Sequence, residues 1–374
     1  MTPFPAVDPI PLPAPIWLFK LLHIVTLSLH FVAVQMLLGG LLIAVILSLF
    51  RGSPLARTGA RSIARRLTVV MTFVINLGVP PLLFAQVLYG RALYTSSVLI
   101  GIYWISIIVI LMLVYRMLYR FSAQLDAGKT AWPSGVIAWL LAGFVARLLS
   151  TNMTLMLRPE KWHEMYAASA AGRFLPMDDP TTTPRWLLML AGGLFIGGLW
   201  MLYLSARSTF TSQEKKYMAA QGGKIAAVGG VVYLLAGLWA NAVQPAPVKA
   251  MLAAPPAGYG FYHYYALGGY LWLALVGVGI LLAAYAWFTK AAVAWVAWAG
   301  VLVALLVEIS FTVYRDAVRD LTLLGKGLDV WDRVVVTNWS VVGLFLVLFV
   351  ASLGVIGWLV SVVARAEKTM EGAA

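Results

Sequence analysis

Two histidines, His23 and His30, are the residues of this 374-residue chain whose type and spacing best suit chemistry. They lie seven positions apart in one apolar stretch, LLHIVTLSLHFVAVQMLLGG. An α-helix turns about 100° per residue, so this spacing places both imidazoles on nearly the same face, roughly 10 Å apart along the axis. An ionisable side chain at membrane depth is costly and usually functional, and imidazole is a common ligand of heme iron. These histidines are therefore the first candidates for a cofactor site.

The elements that must position them are membrane-spanning helices. Hydrophobic residues make up 62% of the chain and charged residues only 11%, which a water-soluble domain of this length could not bury. Apolar runs long enough to cross a hydrocarbon layer of about 30 Å recur along the sequence. We predict an all-α, polytopic membrane protein that forms one domain over residues 1–374. Its nine predicted spans are 16–50, 67–89, 97–119, 133–156, 185–206, 223–244, 262–289, 291–313 and 338–364.

The net charge of +13 reports membrane topology and gives no support to nucleic-acid binding. Basic residues concentrate in alternate loops, beginning after the first span with Arg51, Arg57, Arg61, Arg65 and Arg66. Cytoplasmic loops carry such an excess of Lys and Arg. The pattern predicts a multi-pass protein of a bacterial-type inner membrane, with its N-terminus outside and its C-terminus in the cytoplasm.

The absence of cysteine limits the redox chemistry that this chain can support by itself. It excludes covalently attached heme c, thiolate-ligated iron–sulfur clusters and disulfide bonds within the chain. A noncovalent heme would need His, Met or a carboxylate as its axial ligand. A c-type heme in the same pathway would have to belong to a partner protein.

Glu308 is the only acidic residue within a predicted span. A carboxylate in hydrocarbon is protonated, paired or bound to metal. Glu308 could thus relay protons, ligate a heme iron, or pair with Arg147. His263 lies among tyrosines in GYGFYHYYALGG, which suits either a quinone pocket or an interfacial aromatic belt. His163, in the outer loop 158–184, is most simply a surface residue.

Four motifs in chain order resemble the heme-bearing large subunit of cytochrome bd quinol oxidases. His30-Phe31 precedes Leu38-Gly39 with that family's spacing, and Lys20 stands where the family has a basic residue near the heme. The segment NLGVPPLLFAQVLYG resembles the family's second span, and TNMTLMLRPEKW resembles the end of its fourth span. The segment NAVQPAPVKAMLAAP, which contains Lys249, resembles the start of the family's quinol loop. The resemblance covers about the first 270 residues. The resemblance implies the family's bundle of nine helices, a heme b with His30 as a ligand, and a role for quinone.

The chain departs from the family's pattern at several ligand positions. Leu187 and Leu267 stand where the family's low-spin heme has its histidine and methionine, and Ala254 replaces the glutamate of the quinol loop. The family's glutamate on the eighth helix aligns with Thr312, one helical turn from Glu308. The third span also lacks the family's acidic residue, and YRDAVRD replaces a family signature after the eighth span. These departures indicate a divergent relative with a reduced set of hemes.

Two functions follow from these observations. In the first, the protein is a membrane subunit of a respiratory electron-transfer complex. It binds b-type heme near the outer face and exchanges electrons with quinone or an extracytoplasmic c-type cytochrome, and it could reduce a small gas such as O2. His23, Lys20, His263 and Lys249 would contact the cofactors. In the second, a heme-free pseudo-subunit anchors and docks redox partners, including other membrane subunits. The charged segment 315–337 is predicted to be an outer docking surface or, alternatively, a self-paired cap.

Overall fold

The computed structural model describes residues 4–5, 10–50, 52–207 and 209–372, and within these ranges nine helices are long and apolar enough to cross a membrane. The prediction of an all-α protein with nine spans is confirmed. The nine helices are α1 (Ile16–Leu49), α2 (Pro54–Leu99), α3 (Gly101–Asp126), α4 (Trp132–Leu155), α6 (Thr182–Ser205), α7 (Ser212–Ala242), α9 (Tyr262–Thr289), α10 (Ala294–Gly325) and α11 (Trp339–Gly372). Two short helices, α5 (Trp162–Ala168) and α8 (Ala246–Ala253), lie in the connections.

Helix α2 is much longer than the predicted span 67–89. It begins after Ser53, whose side chain accepts a hydrogen bond from the backbone N–H of Ala56 and so caps the helix. Its arginine-rich first turns are therefore helical, although they are too polar to be recognised as part of a span. Pro80 and Pro81 lie inside the helix, and a non-helical residue at Tyr89 marks a kink.

Helix α10 also differs from its predicted span, 291–313, because it continues to Gly325. The prediction that residues 315–325 belong to an exposed docking loop is therefore wrong. Three of the charged residues in this segment, Asp316, Arg319 and Asp320, are buried. The alternative prediction, that the charges of this segment pair with one another, describes these three residues better, because they form ion pairs inside the bundle.

Helix α1 forms the centre of the bundle and packs against α2, α4, α6 and α10. Its contact with α6 is a direct backbone approach. A Cβ atom built on Gly39 would lie 1.6 Å from the carbonyl oxygen of Gly193, a distance that no side chain could occupy. The pair of glycines thus fixes how closely α1 and α6 pack, as small residues commonly do between membrane helices.

Helices α3 and α11 lie at the periphery and expose apolar side chains such as Ile105, Ile108, Val347 and Leu348. Such exposure suits a surface in contact with lipid chains. The segment that leads into α11 is tied to the N-terminal segment by the backbone of Leu12, whose N–H donates to the carbonyl of Val334 over 2.8 Å.

Candidate cofactor cavity

A cavity of about 1040 Å³ runs through the bundle. Four of the predicted site residues line it: His23 and His30 on α1, Lys249 on α8, and His263 on α9. Most of the other lining side chains are apolar. The fold thus brings together candidates that lie more than 200 positions apart in the sequence.

The cavity also reaches the outer surface of the bundle. Its lining includes Ile105 and Ile108 on α3 and Tyr270 on α9, and each of these side chains is largely exposed. Helix α3 packs against α2 and α4, whereas α9 packs against α7, α8 and α10. The cavity therefore reaches the surface of the described chain near two different groups of helices.

The imidazole of His30 lines the cavity. Its ring packs against Gly78 of α2 so closely that a Cβ there would lie 2.9 Å from Cε1 and 3.1 Å from Nδ1 of the imidazole. Nδ1 is buried and has no hydrogen-bond partner. Gly78 belongs to the second of the four family-like motifs, so two of the motifs meet at this contact.

His23 is held in an arrangement typical of metal-bound histidines. Its Nδ1 lies 3.0 Å from the carbonyl oxygen of Pro81. Because a carbonyl only accepts hydrogen bonds, Nδ1 carries the proton and Nε2 keeps its lone pair. Nε2 is buried and has no hydrogen-bond partner. A backbone carbonyl commonly orients ligating histidines in this way.

Two arginines of the cavity wall lack an acidic partner among the described residues. The guanidinium carbon of Arg315 lies 5.7 Å from the ring centroid of Phe31, next to His30. Arg185 donates to Oε1 of Gln244 over 3.2 Å. Neither forms an ion pair with a carboxylate within 4 Å in the part of the chain described. Charges inside a membrane domain are normally compensated, so this wall favours an anionic ligand.

A buried ion cluster made of Lys20, Asp316, Arg319 and Asp320 lies beside the cavity. Lys20 Nζ lies 3.1 Å from Asp316 Oδ2 and also pairs with Asp320, while Arg319 pairs with Asp316. Two cations and two anions balance, and all four side chains are at most about 5% exposed. Lys20 is thus engaged in ion pairs, and it does not belong to the cavity lining.

Two tyrosines complete this cluster. Lys20 Nζ donates to the hydroxyl of Tyr89 over 2.6 Å, and the hydroxyl of Tyr262 donates to Asp320 over 2.6 Å. The indole N–H of Trp331 in turn donates to Tyr262 over 2.9 Å. The cluster thereby joins α1, α2, α9, α10 and the segment after α10. Sequence reasoning placed Lys20 near the cofactor but found none of these partners.

Glu308 is fully buried and lies outside the cavity lining. Its Oε1 accepts a hydrogen bond from the hydroxyl of Tyr233 over 3.1 Å. Thr312, the other candidate on this face of α10, donates to the backbone carbonyl of Glu308 over 2.7 Å. Arg147 is not the partner of Glu308, because it donates to Thr183 over 3.0 Å.

Lys249 and His263 are exposed at another part of the cavity rim. Lys249 Nζ donates to the carbonyl of Ala242 over 3.2 Å. Nearby, the connection before α9 is tied to the segment after α10 through Tyr259 and Asp329. The hydrogen bond to Asp329 raises the pKa of Tyr259 to about 12. Leu267, which stands at the family's methionine position, lines the cavity, whereas Leu187 does not.

Comparisons with known proteins identify the fold. No protein-family model matches the sequence, and no curated protein matches it either. Among solved structures, the chain is similar to bd oxidase from Geobacillus thermodenitrificans, with a TM-score of 0.61 and 13% sequence identity. The match covers 92% of this chain and 98% of the other. The predicted bd-oxidase-like fold is therefore confirmed.

Proposed function

We propose that this chain, with its bd-oxidase fold, is a membrane subunit of a respiratory electron-transfer complex and holds b-type heme in the cavity, with His30 as an iron ligand. One observation carries the proposal. The imidazole of His30 and the guanidinium of Arg315, which has no carboxylate within 4 Å among the described residues, line the same apolar cavity of about 1040 Å³.

The residues of the cavity fit an iron porphyrin in three respects. Imidazole is a suitable iron ligand, and the walls are mostly apolar. The two arginines without acidic partners, Arg185 and Arg315, match in number the two propionates of heme. Arginine forms strong, charge-assisted hydrogen bonds with carboxylates. An apolar ligand without negative charge would leave both guanidinium groups uncompensated.

The chain's own residues would each have a defined task. His30 holds the iron, while Gly78 leaves space for its ring and fixes the ring's position. Arg315 and Arg185 bind anionic groups, and the apolar side chains exclude water. His23 is the second candidate ligand, oriented by the Pro81 carbonyl. Bound heme would supply reversible one-electron chemistry.

Electron exchange with quinone or an extracytoplasmic c-type cytochrome belongs to the same proposal. The exposed apolar side chains at the edge of the cavity support a lipid-soluble partner such as quinone. Lys249 and His263 are exposed at the rim, where they would contact the quinone or the cytochrome. Glu308 would act as an internal proton relay. A bacterial-type inner membrane is the compartment that suits this assembly.

A heme-free anchoring subunit is the second candidate function. It is favoured by the leucines at both low-spin ligand positions and by the burial of Glu308 away from the cavity. Such a protein would keep the bundle and serve as a docking platform for other redox subunits.

A reduced-minus-oxidised absorption spectrum with heme quantification tests these alternatives. We expect about one heme or more per purified wild-type chain, and loss of most of it in His30→Ala. Arg315→Leu should retain less heme than wild type, because a propionate would lose its cation. His163→Ala is the matched control, since His163 is exposed on α5 and outside the cavity lining.

Each outcome separates the candidates. Heme that is lost in His30→Ala but retained in His163→Ala supports the redox subunit. A folded wild-type protein without heme, purified with its native membrane partners, would overturn the proposal and favour the anchoring role. Retention of all heme in His30→Ala with loss in His23→Ala would transfer the ligand role to His23.

A further inference from the structure

A hollow of about 530 Å³ opens at the surface between the connection before α9 and the segment after α10. Its lining contains the aromatic side chains of Tyr259, Phe261 and Trp331 and the carboxylates of Asp329 and Asp332. The other lining residues are small and uncharged, and none of the described lining residues is basic. This aromatic hollow shares no lining residue with the cofactor cavity, so it is a separate acidic site.

Hydrogen bonds and ring contacts hold the walls of the aromatic hollow in place. The hydroxyl of Tyr259 donates to one oxygen of Asp329, whose other oxygen accepts the backbone N–H of Trp331 over 2.9 Å. The rings of Phe261 and Trp331 meet at 71°, with centroids 5.1 Å apart. A ligand that enters such a preformed site loses little binding free energy to the ordering of its walls.

The chemistry of the aromatic hollow suits an organic cation. The faces of tryptophan and tyrosine rings attract ammonium and guanidinium groups, and a nearby carboxylate strengthens that attraction. Asp332 is exposed and forms no ion pair with a basic side chain of the described residues. A metal ion such as Ca²⁺ needs more oxygen ligands than two carboxylates supply, and the phosphate of a zwitterionic lipid would be repelled by them. The hollow therefore favours the basic side chain of a protein.

A chain of hydrogen bonds and ion pairs runs from the aromatic hollow to the cofactor cavity. The indole N–H of Trp331 donates to Tyr262 over 2.9 Å, and the hydroxyl of Tyr262 donates to Asp320 over 2.6 Å. Asp320 belongs to the buried ion cluster, whose Arg319 lines the cavity. A partner that contacts Trp331 is thereby joined to the cavity through continuous contacts, which favours a redox partner over an unrelated occupant.

We propose that the aromatic hollow is a docking site for a lysine or arginine side chain of an extracytoplasmic protein. The aliphatic stem of that side chain packs on the rings, and its charged end pairs with Asp332. Complementary charge of this kind fixes the orientation of a partner and raises its association rate. That the partner is a redox protein, such as a c-type cytochrome, rests on the proposed function.

Fluorine NMR of the full-length protein, labelled with 5-fluorotryptophan and held in neutral detergent micelles, tests this site. The signal of Trp331 is assigned by its loss in Trp331→Phe. We expect a peptide of alternating glycine and lysine to shift this signal saturably, and the matching glycine–glutamine peptide to leave it unchanged. In Asp332→Asn the dissociation constant of the lysine peptide should rise by about threefold, which is the effect of one exposed ion pair. Asp178→Asn is the matched control, because Asp178 is also exposed but pairs with Arg158 outside the hollow.

Isothermal titration calorimetry of the same peptides provides a second measurement, which decides the matter if Trp331→Phe does not fold. Absence of binding by the lysine peptide would overturn the proposal, as would equal binding of the glutamine peptide or an unchanged dissociation constant in Asp332→Asn. Neither measurement requires a bound heme. Intact peptide binding by a protein without heme would therefore contradict the proposed function and leave the docking site standing.

Discussion

At the scale of single residues, charge compensation explains why Lys20, Asp316 and Asp320 are buried, which the sequence alone did not predict. Lys20 is separated by 296 and 300 positions from its partners Asp316 and Asp320. No local pattern connects residues so far apart, and the aspartates were assigned to an exposed segment because four charges in YRDAVRD resemble a loop. Histidine spacing, in contrast, placed His23 and His30 on one helix face, and both side chains line the same cavity.

Lys20→Met should be among the most destabilising single substitutions. It would leave Asp316 and Asp320 buried with Arg319 as their only cationic ion-pair partner in this cluster. Removal of one partner from a buried ion cluster typically costs about 3–5 kcal/mol. The free energy of unfolding in mixed detergent micelles measures the effect.

Lys326→Met is the control for this substitution. Lys326 pairs with Glu160 at the surface, where both side chains are more than 40% exposed, so the expected loss is below about 1 kcal/mol. The double variant Lys20→Met/Asp320→Asn should recover part of the stability, because it restores neutrality. Equal losses in Lys20→Met and Lys326→Met would contradict the role assigned to the cluster.

At the scale of helices, hydrophobicity predicted where spans exist better than where helices end. The span predicted at 262–289 coincides with α9, whose ends are marked by a loop rich in Gly and Pro and by Lys290. For α2, the predicted end at residue 89 coincides with the kink, and the helix continues to Leu99. Hydropathy detects the apolar part of a helix, but hydrogen bonding and tertiary ion pairs extend the helix beyond that part.

Gly39→Ala should disrupt the packing of α1 against α6. The added Cβ would overlap the backbone of Gly193, and neither backbone can move without separating the two helices. We expect loss of most of the monodisperse protein in size-exclusion chromatography. Gly277→Ala, in the middle of α9, is the control: nothing lies within 4 Å of its added Cβ, so the protein should fold normally. A normal yield and thermal midpoint for Gly39→Ala would show that α1 and α6 are not in backbone contact.

At the scale of the whole molecule, the composition was sufficient to predict the architecture. The similarity to bd oxidase covers 92% of this chain although only 13% of residues are identical. Many different apolar sequences can form the same nine helices as long as close approaches such as that of Gly39 to Gly193 are kept, so the fold can persist where ligand residues change. The cavity walls, built by residues from nearly every helix, could not be derived from one sequence.

The orientation of the bundle remains a prediction that cysteine labelling can test. Since the chain contains no cysteine, each single-cysteine variant gives an unambiguous signal. A membrane-impermeant maleimide on intact cells should label Glu164→Cys, beyond the end of α4, but leave Lys129→Cys, between α3 and α4, unlabelled until the cells are opened. The reverse pattern would place the N-terminus in the cytoplasm.

The exposure of the cavity edge on α3 and on α9 has a consequence for biogenesis. A pocket sealed by its helices must receive its ligand while the chain is still being inserted. Here Ile105 and Ile108 on one side and Tyr270 on the other border the cavity at the lipid surface. We therefore expect that a hydrophobic ligand can enter the finished bundle from the membrane, so that maturation need not be coupled to translation.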